Sequence, residues 1–189
     1  MTEKRILPGS KANGQWDLPK QLNMAAQALT YPADQLAIID LTGPQRADVS
    51  YGDLAEMVDG LARYLSARLQ PGDRIGVLLS QSPWCVAAHL AAWKVGAISV
   101  PLFKLFKRDA LASRAGDAGV KLVFTDAEGA DMLEDLAEPV LVDQAGLSGD
   151  PVPFADTTPD TPAVLIYTSG TTGSPKGALH GHRVLTGHL

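Results

Sequence analysis

One cysteine, Cys85, stands alone in the chain, which excludes an internal disulfide and points to a reducing compartment. It lies in the helical-looking "SPWCVAAHLAAWKVGA", where a small buried hydrophobe is the expected role. No apolar run approaches the roughly 20 residues that a bilayer-spanning helix needs. The opening "MTEKRILPGSKANGQWDLPK" carries charge but no apolar core and no cleavage pattern, so no secretory signal is read there and the cytoplasm is the expected location. Positive charge is not in excess either. Sixteen Lys and Arg face 21 Asp and Glu, for a net charge of −5, which gives no electrostatic footprint for nucleic acid. The one basic patch with aromatics, "FKLFKRD" at 103–109, reads as a solvated loop before a helix. Internal repeats are absent. What is present is ordinary globular material: 46% hydrophobic and 20% charged residues over 189 positions, enough for one core or for part of a larger one.

The apolar pattern alternates between two periods. In "VSYGDLAEMVDGLARYLSARL", Leu54, Met57, Val58, Leu61, Tyr64, Leu65 and Leu69 recur at helical spacing, which predicts a helix over about 52–69 ended by "QPGD". "RIGVLLS" then predicts a buried strand near 74–80. Ser82 and Pro83 supply the N-cap and first-turn proline of a helix over about 83–95, and a strand follows at 97–101. Helices are predicted at 109–118 and 128–137, with strands at 121–125, at "PVLVD" and at "AVLIYTS". Such alternation with short connections calls for right-handed crossovers, so the expected fold is α/β: a mostly parallel sheet with helices on both faces. "QAGLSGDPVPFADTTPDTP", before the last strand, reads as a long surface loop.

"YTSGTTGSPKGALHGH", Tyr167 to His182, concentrates glycine and hydroxyl side chains around one lysine at the carboxyl end of that last strand, where α/β sheets bind ligands. Gly170, Gly173 and Gly177 allow backbone N–H groups to converge on an anion. Thr168, Ser169, Thr171, Thr172 and Ser174 add hydroxyl donors, and Lys176 adds a mobile positive charge. A polyphosphate needs this combination of short donors and one cation. A flexible surface loop is the other reading of the same composition. The spacing does not fit a Walker A loop. The lysine sits between Pro175 and Gly177, and the β-prone "ALHGH" after it argues against a helix starting at Lys176. His180, His182 and His188 have no cysteine or carboxylate nearby, so no metal site is expected among them. His89, among helical alanines, is expected to pack.

The segment "AVLIYTSGTTGSPKG" resembles the signature loop of the adenylate-forming (AMP-binding) superfamily, which includes acyl-CoA synthetases, aryl-CoA ligases, luciferases and the adenylation domains of peptide synthetases. "VSYGDLAEMVDGLARYL" and "AAWKVGAISVPLF" are similar to two further core motifs, in the family's order, with "PGDRIGVLLSQSP" between them. The likeness runs from about Trp16 to the end, leaving 1–15 as an N-terminal extension and 16–189 as a partial AMP-binding domain. "VPLFKLFKRDAL" is most similar to the bacterial acetyl-CoA-synthetase-like and medium-chain acyl-CoA synthetases.

The resemblance implies a ligase that couples a carboxylic acid to ATP, releases pyrophosphate and passes the acyl group to coenzyme A, with a short- or medium-chain acid as substrate. It implies that Thr168, Ser169, Gly170, Thr171, Thr172 and Gly173 hold the β- and γ-phosphates and that Lys176 assists them. His182 matches a family histidine that lies near the acyl and nucleotide sites; a structural role, orienting the loop through a hydrogen bond, is the alternative. The Mg²⁺ ligand, the adenine and ribose contacts and the catalytic lysine are expected outside 1–189. No catalytic residue is therefore assigned within the chain, and the isolated chain is expected to be inactive. A noncatalytic remnant, binding nucleotide weakly or acting through protein contacts, is the alternative. A sheet separated from its neighbouring subdomain is expected to expose an apolar face.

Overall fold

The computed structural model describes residues 11–12, 15–16, 18–144, 149–168 and 175–188. Two short strands, β1 (Lys11–Ala12) and β2 (Gln15–Trp16), pair antiparallel. Helix α1 (Met24–Ala28) follows, capped by the Asn23 side chain, which accepts from the N–H groups of Ala25 and Ala26. Strands β3 (Leu36–Asp40) and β4 (Ala47–Ser50) form an antiparallel hairpin that feeds directly into helix α2 (Tyr51–Ser66).

The start of α2 is set locally. Ser50 Oγ accepts from the Asp53 N–H at 3.1 Å while the Asp53 carboxylate accepts from the Ser50 N–H at 2.9 Å, a reciprocal capping box. The helical stripe read from the sequence is buried: Leu54, Val58, Leu61 and Leu65 lie in the core, with Met57 and Tyr64 packed against it, while the helix ends at Ser66 and Leu69 is buried from the turn that follows. Strand β5 (Arg74–Leu78) precedes helix α3 (Pro83–Lys94), where Ser82 caps through Cys85 N–H and Pro83 stands at the first turn as expected. Cys85 itself is half-buried, and burial pushes its thiol pKa up.

Strand β6 (Ile98–Leu102), helix α4 (Arg108–Ala118), strand β7 (Val120–Thr125), helix α5 (Ala127–Leu133) and strand β8 (Glu138–Leu141) continue the alternation. Helix α4 stops at Gly119, whose φ of 60° is the left-handed cap conformation that glycine adopts without steric cost. The expected helix over 128–137 is shorter than predicted. It ends at Leu133 because Glu134 takes φ 46°, and the carboxylates of Glu134 and Asp135 turn back to the Arg108 guanidinium. Strands β9 (Pro162–Thr168) and β10 (Lys176–Gly181) and a 3₁₀ helix (His182–His188) complete the chain.

The main sheet has six strands in the order β10-β9-β6-β5-β7-β8, parallel throughout except for β10, which runs antiparallel to β9. Helices cover both faces. On one side Ile75, Val77, Leu122 and Phe124 pack with residues of α2 and α3 such as Leu61 and Leu90. On the other, Leu78, Val100, Leu102 and Val123 pack with Leu111 of α4 and Leu133 of α5. The expected α/β fold is the observed one.

The expected surface loop at 144–162 is irregular where it is described, yet it is pinned. Thr157 is buried and exchanges hydrogen bonds with Leu22, and the Ala155 N–H donates to the Lys94 carbonyl at 2.7 Å. Among the described residues no helix is long and apolar enough to cross a membrane. Apolar side chains are left uncovered at the β10 edge, where Leu179 is 56% exposed, and in the β6–α4 loop, where Leu105 is 96% exposed.

Candidate phosphate-binding site

Because β5, β6, β7 and β9 run parallel, their carboxyl ends share one edge of the sheet, and Thr168 closes β9 there. The next described strand begins at Lys176. In the β9–β10 ladder Lys176 stands directly opposite Thr168. Paired residues of an antiparallel ladder project to the same face, so the hydroxyl and the ammonium flank the base of the 169–175 connection on one side. Ser169, Gly170, Thr171, Thr172 and Gly173, with Ser174, lie outside the described residues. Lys176 is exposed and, among the described residues, has no ion-pair partner.

A second lysine at this edge is committed elsewhere. Lys104, just past the end of β6, donates to Asp126 at 2.7 Å and to Glu128 at 2.6 Å, with its side chain only 14% exposed. Asp126 also caps α5. Of these two lysines, only Lys176 is left to meet an incoming anion.

Gly177 has a different task from the one expected. It sits inside β10 opposite Tyr167, and a Cβ there would lie 3.0 Å from Leu165 Cδ1 and 3.3 Å from the Tyr167 ring. Its missing side chain makes room for the aromatic ring; it does not bend the backbone toward a ligand. Tyr167 in turn donates from its hydroxyl to Asp117 Oδ2 at 2.5 Å, and its pKa is pushed up to about 12, by burial first and then by that carboxylate.

His182 is fully buried. Its Nδ1 accepts from the Met24 N–H at the start of α1, 3.1 Å away, and its own backbone N–H donates to the Thr161 carbonyl. With Nδ1 an acceptor, the imidazole is the neutral tautomer protonated at Nε2, and Nε2 has no hydrogen-bond partner among the described residues. The bond to Met24 ties the exit of β10 to the start of α1. His180 lies in β10 opposite Val164, and His89 packs beside Trp93, with ring centroids 5.9 Å apart.

Burial lowers the pKa of both His182 and His89 to about 4. Each is neutral when folded and free to take a proton near pH 6.5 when unfolded, so the unfolded state binds more protons as pH falls. Stability is therefore complete above about pH 7 and is lost as pH drops from 6.5 toward 4. His182 alone is expected to remove roughly 1.5–2 kcal/mol between pH 7 and 5. Carboxylates held low by hydrogen bonds, such as Asp53 by Ser50 and Asp73 by the Gln70 N–H, lose their contribution only below this window. Urea unfolding at pH 7 and 5 checks the slope; His182→Asn, which keeps an acceptor for Met24, should flatten it, leaving the share of His89. An unchanged slope would mean that the ring is already protonated in the fold.

The arrangement is that of an α/β protein whose antiparallel strands β9 and β10 flank a glycine- and hydroxyl-rich stretch of sequence at the carboxyl edge of the sheet. The sequence profile of the AMP-binding enzyme family matches residues 24–188, and the chain belongs to that family. It is 36% identical over 143 residues to N-(5-amino-5-carboxypentanoyl)-L-cysteinyl-D-valine synthase of Amycolatopsis lactamdurans, a match covering 71% of this chain and 4% of that protein. It is 34% identical over 170 residues to 3-hydroxybenzoate–CoA ligase of Aromatoleum sp. (strain CIB), covering 79% of this chain and 32% of that one. Among solved structures it resembles the Brucella canis acyl-CoA synthetase, at 25% identity with a TM-score of 0.75 over 88% of this chain and 34% of the other. The chain thus spans about a third or less of the length of these relatives.

Proposed function

We propose that this segment supplies the phosphate-binding part of an AMP-forming acid–thiol ligase, in which Thr168, Ser169, Gly170, Thr171, Thr172, Gly173 and Lys176 hold the β- and γ-phosphates of ATP. The observation that carries this reading is the Thr168–Lys176 pair at the base of the hairpin, on the sheet edge where α/β folds bind ligands, with the lysine exposed and without an ion-pair partner among the described residues. ATP is then the cofactor-like substrate. Mg²⁺, held by ligands expected outside 1–189, would supply neutralisation of phosphate charge, and coenzyme A would be the acceptor. In the chain's own share of the chemistry, backbone N–H and hydroxyl groups orient the polyphosphate, and the lysine stabilises charge that leaves with pyrophosphate.

The acid is proposed to be short- or medium-chain, supported by the likeness of "VPLFKLFKRDAL" to that branch. Residues 16–189 form part of the AMP-binding domain and 1–15 an extension. Carboxylate-dependent ATP–pyrophosphate exchange tests the proposal in a protein of full family length carrying this segment, against alkanoates, benzoates and amino acids. Exchange with alkanoates, followed by acyl-CoA formation, is expected. Exchange only with amino acids would place the segment in a peptide-synthetase adenylation domain, which the 36% identity to the cysteinyl-valine synthase makes the second reading. Residues 1–189 alone are expected to give no exchange with any acid, since they span about a third of the solved acyl-CoA synthetase. Acid-dependent exchange by the purified chain would show that the active centre is contained within it.

A further inference from the structure

We infer that Tyr167 and Asp117 are positioning residues: their hydrogen bond straps the loop end of the β9–β10 hairpin to α4 and so places Thr168 and Lys176. The backbone ties of β9 to the rest of the sheet lie near its start. Among the described residues the β6–β9 ladder consists of Ser99 opposite Val164, and the Trp93 Nε1–H donates to the Ala163 carbonyl at 2.8 Å. Thr168 stands four residues beyond Val164, about 13 Å further at roughly 3.3 Å per residue. Over that distance the hairpin's main-chain partner is its own other strand.

Side chains supply the fastening that the ladder does not. Tyr167 lies one residue before Thr168, and its ring occupies the space that Gly177 leaves one residue after Lys176, so one aromatic ring contacts both strands of the stem. Its hydroxyl reaches across to Asp117 Oδ2 at 2.5 Å, in the last turn of α4. Helix α4 is itself anchored, with Leu111 and Ala118 buried in the core cluster that Leu165 and Tyr167 pack against. The phenol keeps its proton well above neutral pH, so it remains a donor to the carboxylate and the strap does not open through titration of the tyrosine. Leu165 and Tyr167 share the α4 face of β9, while Thr168 and Lys176 share the other. The strap therefore holds the stem from behind and leaves the polar pair free.

The effect on ligand binding rests on the phosphate reading proposed above; the mechanical strap does not. The test compares Tyr167→Phe, Asp117→Ala, Asp117→Asn and the Tyr167→Phe/Asp117→Ala double variant of residues 1–189. Amide hydrogen exchange is read over 165–168 and 176–179, with β5 as internal control. Loss of one hydrogen bond to a charged acceptor near the surface should speed exchange of the stem about five- to tenfold, leaving β5 unchanged. The double variant should be no worse than the worse single, and Asp117→Asn, which retains an acceptor oxygen, should stay near the parent. Calorimetric titration with inorganic tripolyphosphate should show a dissociation constant weakened about five- to tenfold in Tyr167→Phe with no change in site number. Unchanged stem exchange, or faster exchange in β5 as well, overturns the strap. Altered stem exchange with equal tripolyphosphate affinity overturns its positioning role. Altered stem exchange in a parent protein that does not bind tripolyphosphate upholds the strap and overturns the phosphate reading instead.

Discussion

Replacing Lys176 with alanine, in an enzyme of full family length carrying this segment, is expected to slow acyl-adenylate formation by roughly 30- to 1000-fold. That corresponds to about 2–4 kcal/mol, the scale for removing one preorganised electrostatic donor. The lysine begins β10 opposite Thr168 and has no carboxylate partner among the described residues, in contrast to Lys104, which is held by Asp126 and Glu128. On the function proposed above, its charge is available to the phosphates and stabilises the charge that leaves with pyrophosphate. Thioester formation from pre-made acyl-adenylate should be affected far less, because that intermediate carries no β- or γ-phosphate. Pyrophosphate exchange and thioester formation measured separately on one Lys176→Ala protein check this, with circular dichroism to confirm folding. Equal losses in both half-reactions would assign the loop a structural or docking role.

The largest expected effect on stability belongs to Asp59→Ala, at about 3–5 kcal/mol, because it leaves a buried ammonium unpaired. Lys94 closes α3 with its side chain 5% exposed, in an ion pair with Asp59 of α2, and its Nζ lies 4.4 Å from the centre of the Phe154 ring. The Asp59 carboxylate also accepts from the Val152 N–H at 3.3 Å, so one carboxylate joins α2, α3 and the irregular segment before β9. Removing both charges together, as Asp59→Leu with Lys94→Met, should cost much less than the single change, since no uncompensated charge remains. Urea unfolding of the parent and the two variants measures the difference. A loss below about 1 kcal/mol in Asp59→Ala would mean that the ammonium reaches water past Phe154.

Helices α2 to α5 and the central strands were legible because each carries its signal locally. The α2 stripe from Leu54 to Leu65 is periodic, Ser82-Pro83 is a start signal, and the runs at β5, β6 and β7 are apolar because both sheet faces are covered. α1, β3 and β4 were not read. Five residues of helix are too few for a periodic stripe, and β3 leaves Leu36 and Ile39 44% and 48% exposed, so its pattern does not alternate cleanly. The capping box at Ser50 and Asp53 would have moved the start of α2 to Tyr51. Near the loop, the sequence did not reveal that Gly177 makes room for the Tyr167 ring, because a glycine that admits an aromatic ring looks the same in sequence as one that admits a phosphate.

By itself the sequence determined the α/β alternation, the position of the hydroxyl- and glycine-rich loop at a strand end and the family to which the motifs belong. These depend on residue type and on spacings within a few turns of chain. Only the tertiary structure decided that β10 turns back antiparallel and sets Lys176 opposite Thr168, that Lys104 is neutralised by Asp126 and Glu128, that His182 reaches Met24 across the fold, and that Tyr167 bonds Asp117. The His182–Met24 bond joins residues 158 apart and the Tyr167–Asp117 bond residues 50 apart. No local pattern encodes which distant group a polar side chain will meet, because the partner is chosen when the sheet and helices pack and the buried donor or acceptor must be satisfied by whatever the fold brings within about 3 Å.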